Sequence, residues 1–475
     1  MSTTSQASQR INALLDENSF VEIGGLVTAR ATDFNLKQTE TPSDGVVTGY
    51  GVIDGSLVYV YSQDASVLNG SVGEMHAKKI VNLYDLAMKM GAPVIGLIDS
   101  AGLRLQEATD ALNGFGEIYK SQVMASGVIP QITAVFGNCG GGLALIPAMT
   151  DFAFMEEKKA KLFVNSPNAL EGNEISRCDT SAAAFQSEET GLVDMAADEA
   201  SILAHIRQLV SILPANNADY ALTDCTDDLN RACAQIAGCV GDTAIALSQI
   251  ADDGLFVEVK QDYAKDMVAG FIRLNGATVG AVANRSEVYN EDGEVTDKFD
   301  TVLSARGAEK AAEFVTFCDA FDIPVLSLTN VTGFAATKCA EKRMAKAVGR
   351  LTYAFANATV PKVNVVIGKA YGSAYVAMNS KAIGADITMA WPDAEIGMMD
   401  AKLAAKIICD GQGSETIDAC AKEYAALQNN VTSAAKRGYV DQIVEPADTR
   451  KYVIGAFEML ASKNEGRPGK KHGTV

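Results

Sequence analysis

Apolar positions along the chain fall into two recurring patterns. Short runs rich in β-branched residues, such as 93–98 (PVIGLI) and 131–136 (QITAVF), are bounded by Gly, Pro or Asn and predict strands. Between them, stretches such as 75–90 (MHAKKIVNLYDLAMKM) place apolar residues three and four apart and predict amphipathic helices. Strand, helix, strand alternation predicts an α/β architecture with parallel strands joined by crossovers.

The pattern also repeats. PVIGLIDSAGL (93–103) lies against PVLSLTNVTGF (324–334), 231 residues later. The same offset carries IPQITAVFG (129–137) onto VPKVNVVIG (360–368), and NCGGGLA (138–144) onto KAYGSAY (369–375). At nearby offsets DENSFVEI (16–23) resembles DDGLFVEV (252–259), and Val47 to Gly55 tracks Val268 to Gly276. The change of offset implies insertions, the clearest being the acidic, turn-rich stretch 286–298 (SEVYNEDGEVTDK). A period of half the chain is far too long for a solenoid and indicates an internal duplication of a whole domain. The expected domains are 1–235 and 236–475, with a polar turn and a helix across 225–250.

In each half an apolar strand ends in a turn of small residues and then enters a helix. The first turn is Gly137-Asn138-Cys139-Gly140-Gly141-Gly142, and the second is Gly368-Lys369-Ala370-Tyr371-Gly372-Ser373-Ala374. Small residues let a ligand approach the main chain. The first N–H groups of the following helix then face it, aided by the helix dipole, which makes such a turn a ready oxyanion hole. One such turn alone is ordinary strand–helix packing; two equivalent turns in a duplicated chain favour a ligand role. Neither is a Walker or dinucleotide loop, since GxxxxGK[ST] and GxGxxG are absent.

Composition narrows the chemistry. Of 475 residues 48% are hydrophobic, enough for a sizeable core. Forty Lys+Arg against 59 Asp+Glu give a net charge of −19, which argues against nucleic acid or an anionic membrane as a partner. No apolar run reaches the ~18 residues of a membrane helix, and the polar amino terminus lacks a signal core, so no membrane insertion is expected. Nine cysteines, an odd number without a CxxC pair, fit a reduced cytoplasmic protein. Only His76, His205 and His472 occur, without HExxH or HxH spacing, so no metal centre is expected. Catalysis would fall to carboxylates, hydroxyls, bound cofactors or backbone amides.

A set of longer segments is more specific than either turn. These include DGVVTGYGVIDG (44–55), GEMHAKKI (73–80), DSAGLRLQE (99–107), MASGVIPQI (124–132), CGGGLALIPAMTDFAFM (139–155), KAYGSAYVAM (369–378) and AWPDAEIGMM (390–399). Together they resemble the carboxyltransferase subunit of biotin-dependent acyl-CoA carboxylases and related decarboxylases, across nearly the whole chain. The resemblance implies two tandem crotonase-like (ClpP/crotonase) domains. It implies transfer of a carboxyl group between carboxybiotin and the α-carbon of a short-chain acyl-CoA, acetyl-CoA or propionyl-CoA. Two oxyanions then develop, one on the thioester and one on the biotin ureido group, matching one amide pocket per half.

In that picture Gly141 and Gly142 bind the thioester oxygen, and Ser373 and Ala374 the biotin oxygen. Gly140, Gly372, Ala101, Gly102 and Val376 line the substrate side. Tyr371 and Tyr375 are core residues or a wall of the biotin pocket, and Arg104 either meets a CoA phosphate or packs. Biotin's own nitrogen takes the α-proton, so no histidine base is required. The biotin sits on a biotin carboxyl carrier protein, charged by a biotin carboxylase, or the partners are membrane subunits of a sodium-pumping decarboxylase. A homohexamer is implied, each site lying between the amino-terminal half of one subunit and the carboxy-terminal half of another.

Departures and decoys qualify this picture. Ser373 replaces the second glycine of the family's second turn, and Val376 stands where propionyl-directed members often carry Asp. The family's histidine-bearing stretch is replaced by SEETGLVDMAADEA (187–200), and the basic tail RPGKKHGTV stops early. Ala87-Met88-Lys89-Met90 mimics a biotinylation tetrapeptide, but it lies on a predicted helix rather than a β-hairpin. Lys78 and Lys79 read as a solvated helix face, and Trp391 as core. Ser373 lacks the GxSxG and His–Asp context of a nucleophile. A crotonase-type hydratase would need paired carboxylates beside the turns, and a non-catalytic paralogue would bind CoA without turnover.

Overall fold

The computed structural model describes residues 5–30, 40–290 and 292–470; His472 and the last residues of the basic tail lie outside them. The chain divides into two compact units, Met1–Ala221 and Leu222–Val475. In the first, the strands are β1 (Val21–Ile23), β2 (Val46–Ile53), β3 (Ser56–Gln63), β4 (Val94–Ser100), β5 (Gln131–Gly140), β6 (Phe152–Glu156), β7 (Lys161–Phe163) and β8 (Met195–Ala197). Among the described residues they form one sheet in the order β1-β2-β3-β4-β5-β6-β8, with β7 paired to the end of β5. The β1–β2–β3 meander is antiparallel, and every later pairing is parallel.

The second unit repeats this plan strand for strand. Its strands are β9 (Phe256–Glu258), β10 (Met267–Leu274), β11 (Ala277–Asn284), β12 (Glu287–Tyr289), β13 (Val295–Lys298), β14 (Val325–Val331), β15 (Lys362–Tyr371), β16 (Ile387–Ala390), β17 (Glu395–Gly397) and β18 (Gln442–Ile443). The sheet runs β9-β10-β11-β14-β15-β16-β18, with β17 beside the end of β15. Within 286–298, β12 and β13 pair as a separate hairpin, an insertion that accounts for the later change of offset, between β11 and β14. Register is duplicated too. Val94 opposes Gln131 as Val325 opposes Lys362, and both ladders slip before Ser100–Cys139 and Val331–Ala370.

The helices follow from burial of one stripe. In helix Glu74–Met90 the buried positions are His76, Ala77, Lys79, Ile80, Leu83, Tyr84 and Ala87, a helical period. Gly91, at φ +62°, closes the helix by donating its N–H to Ala87. The parallel strand β4 is apolar and buried on both faces, as covered parallel sheets require.

Two expectations differ from the structure. The units divide at 221/222 rather than 235/236, because the intervening segment packs on the second unit. Leu222 bridges Ala277, Arg231 donates to the carbonyls of Gln249 and Ala251, and Cys233 N–H donates to Ala447. Lys78 is solvated as expected, but Lys79 is buried and its ammonium donates to the carbonyls of Ser43 and Val46. Within 187–200 a turn of π-helix leads into the short strand β8, and Asp194 accepts from Ala153 N–H. Trp391 is core, its indole N–H donating to Thr449 at 3.0 Å. Among the described residues no helix is long and apolar enough to cross a membrane.

Candidate active site

Strands β4 and β5 end side by side, and their connections build a cleft in the first unit. Gly140 is extended, Gly141 turns left-handed at φ +63°, and a 3-10 turn from Gly141 to Ala144 leads into helix Leu145–Ala148. Facing it, the loop after β4 carries Ala101, Gly102 and Leu103, with Gly102 at φ +91°. A Cβ on Gly102 would stand 3.6 Å from the Gly140 carbonyl, so the loop and the turn are close neighbours. Between them lies a cleft of about 640 Å³, whose other walls include the rings of Phe115, Tyr119 and Phe163. A Cβ at Gly140 would meet the Phe163 ring at 2.7 Å, whereas one at Gly141 would meet nothing within 4 Å. The open face at Gly141 and the amides of the 3-10 turn suit a carbonyl oxygen among apolar walls.

The cleft thus gathers Ala101, Gly102, Gly140, Gly141 and Gly142 from the sequence-derived set. Tyr119 and Phe163 were missed, and no local pattern marks them. Tyr119 donates its hydroxyl to the Gly142 carbonyl at 2.6 Å, fixing the peptide that carries the Leu143 N–H. Cys139 is fully buried behind the turn, and burial pushes its thiol far above the ordinary range, so it stays neutral.

Arg104 is corrected. Its side chain is 1% exposed and its guanidinium is spent on Asp44, Glu107 and Ser71, so it does not face a ligand.

The second turn repeats the first. Gly372, at φ +61°, occupies the position of Gly141 and opens helix Gly372–Ala377. The repeat therefore sets Gly142 against Ser373 and Leu143 against Ala374, which adds the Leu143 N–H to the candidate amides. The offset of 231 was the signal that could have found it. Ser373 is exposed, Ala374 is buried, and Val376 is exposed. Tyr375 is half-buried against the cluster of Val366, Ala370 and Ile396. Tyr371 is buried and bonds through its hydroxyl to the Glu395 carboxylate, which β17 brings alongside β15. Burial and that carboxylate push the Tyr371 phenol well above its usual value. Tyr371 thus packs as core while Tyr375 keeps a half-exposed edge; Glu395 was not anticipated, because its partner lies on another strand.

The carboxyl transferase domain family matches residues 4–475. The chain belongs to that family. It is 41% identical to the propionyl-CoA carboxylase beta chain of Roseobacter denitrificans, over 99% of this chain and 93% of the relative. It is 38% identical to the methylmalonyl-CoA decarboxylase subunit alpha of Propionigenium modestum, over 99% and 92%. The transcarboxylase 12S core, solved as a hexamer with methylmalonyl-CoA and methylmalonic acid bound, superposes with a TM-score of 0.92 at 37% identity. That likeness covers 98% of this chain and 92% of that one. The protein is accordingly a biotin-dependent-type carboxyltransferase built as two tandem crotonase-like domains.

Proposed function

We propose that this carboxyltransferase moves a carboxyl group between carboxybiotin, held on a partner carrier chain, and the α-carbon of propionyl-CoA, with methylmalonyl-CoA as the carboxylated ester. The observation that carries the reading is the pair of equivalent glycine turns, one per unit, the first opening on an apolar cleft. The relatives named for propionyl-CoA and methylmalonyl-CoA favour this ester pair over acetyl-CoA and malonyl-CoA.

The thioester oxygen would lie against the amides of Gly141 and Gly142, with Leu143 N–H oriented by Tyr119. Phe115, Tyr119 and Phe163 exclude water, so the amides act at low dielectric on the charge that develops during enolisation. The amides of Ser373 and Ala374, beyond Gly372, would receive the ureido oxygen. Carboxybiotin, when bound, supplies the carboxyl group. The same proposal includes a homohexamer with a biotin carrier and biotin carboxylase as partners; the hexameric transcarboxylase 12S supports the assembly.

A second reading is carried by the decarboxylase alpha subunits of Propionigenium modestum and Veillonella parvula, the latter 39% identical. It keeps this chemistry in the opposite direction, with membrane subunits as partners. The test mixes purified chain, free biotin and either methylmalonyl-CoA or malonyl-CoA, and follows the CoA esters by chromatography. Biotin-dependent loss of carboxylate, faster with methylmalonyl-CoA, is expected. Preference for malonyl-CoA would move the substrate to acetyl-CoA. Binding without turnover of either ester would leave a non-catalytic subunit.

A further inference from the structure

Arg104 is among the largest fully buried side chains of the protein. Its Nη1 donates to Asp44 Oδ1 at 2.7 Å and Glu107 Oε1 at 2.8 Å. Its Nη2 donates to the Ser71 carbonyl at 2.6 Å, and Nε reaches the Ser71 hydroxyl at 3.2 Å. Both carboxylates are buried and also grip the start of helix Glu74–Met90. Asp44 Oδ2 accepts from His76 N–H at 2.8 Å, and Glu107 Oε2 accepts from Glu74 N–H at 2.6 Å. One guanidinium thus ties the turn at Asp44, Ser71, the helix start and the loop after β4 into a single unit.

The repeat keeps the backbone geometry of this loop without this cluster, its own buried Arg285 pairing instead with Asp242 and Glu258. In the first unit Val72 N–H donates to Gly102 at 2.8 Å and Arg104 N–H to Val72 at 3.0 Å. In the second, Leu303 N–H donates to Gly333 at 2.9 Å and Ala335 N–H to Leu303 at 3.0 Å. The same backbone clasp therefore holds both loops. Yet the positions matching Asp44, Arg104 and Glu107 in the repeat are Lys265, Ala335 and Lys338. Burying three charged groups carries a heavy desolvation cost. A device that one copy of the fold omits must serve something local to the other copy. What is local is the Ala101–Leu103 loop, which walls the 640 Å³ cleft.

We propose that the Arg104–Asp44–Glu107 cluster is a positioning unit that fixes the Ala101–Leu103 loop as a rigid wall of the cleft, and so sets affinity for the acyl-CoA. Arg104 acts through the loop, without touching the ligand; the proposal rests on the acyl-CoA reading of the first unit. Charged hydrogen bonds in a dry site are directional and strong, so the loop is held to one geometry before the ligand arrives.

The test uses the full chain with Glu107→Gln and Asp44→Asn, which keep side-chain shape, and with Ser71→Ala, which keeps all three charges should the others fail to fold. Leu83→Ala, in the core of helix Glu74–Met90, is the control for lost stability alone. Hydrogen exchange at the Ala101, Gly102 and Arg104 amides of the free chain should quicken in the cluster variants. The calorimetric Kd for methylmalonyl-CoA should rise about tenfold, with KM for free biotin unchanged. Leu83→Ala should lower the melting temperature without moving either readout. Unaltered exchange in folded cluster variants, or an equal rise of Kd in Leu83→Ala, would overturn the proposal. A wild-type chain that binds no CoA ester would instead remove the acyl-CoA reading, and the exchange data would still decide whether the cluster positions the loop.

Discussion

Gly141 and Gly372 hold the same left-handed backbone, at φ +63° and +61°, at matching steps of two turns 231 residues apart. An L side chain in this region costs roughly 1–2 kcal/mol, and relief of that strain would swing the following amides. At Gly141 a Cβ has open space, so backbone geometry is the whole effect; at Gly372 it would also press on the Met398 carbonyl at 3.1 Å. Gly141→Ala should therefore lower kcat for biotin-dependent loss of carboxylate from methylmalonyl-CoA about 100-fold, with melting shifted by only a few degrees. Gly372→Ala should lose at least as much activity and more stability. Near-wild-type kcat in a folded Gly141→Ala chain would remove the first turn from the chemistry.

Lys89 should carry no biotin. It lies in the last turn of helix Glu74–Met90, where its charge complements the helix dipole, and not in the β-hairpin from which a carrier lysine projects. Chain purified from biotin-fed cells should give no signal on a streptavidin blot, and Lys89→Arg should leave turnover with free biotin unchanged. A band that disappears in Lys89→Arg would show that the tetrapeptide is modified after all.

The duplicated architecture was legible in the sequence because strands and turns keep a single offset through the core of each half. Strands β4 and β14, β5 and β15, and the two glycine turns all fall on it. Arg104 was not legible, because its partners Asp44 and Ser71 lie 60 and 33 residues away, and a charge says nothing of its own burial until those segments meet. Lys79 departs from its expected place for a different reason. It stands on the stripe of His76, Ile80 and Leu83, so helical position rather than polarity decides its burial. Tyr119 and Phe163 reach the cleft from a helix and a short strand with no motif around either.

Lys79 and Lys310 are counterparts under the same offset, and each is a buried ammonium that donates to two backbone carbonyls. Lys310 reaches Lys260 at 2.7 Å and Tyr263 at 2.9 Å. Burial outweighs the nearby Glu258 and Asp266 carboxylates and, with Arg285 and Lys260 adding repulsion, holds the Lys310 ammonium down at about 8. The folded chain therefore releases this proton near pH 8, while the unfolded chain keeps it until about 10.5. Between those values the unfolded state binds more protons, so the contribution of Lys310 to stability rises with pH there and is flat below. Lys310→Met leaves the two carbonyls unpaired, an offset independent of pH, so the slope of the difference isolates the titration. Urea unfolding should show wild type gaining on Lys310→Met by up to about 3 kcal/mol from pH 8 to 10.5, at ~1.4 kcal/mol per unit. A difference that stays constant over that window would mean that the ammonium keeps its proton in the fold, held by the two carbonyls against desolvation.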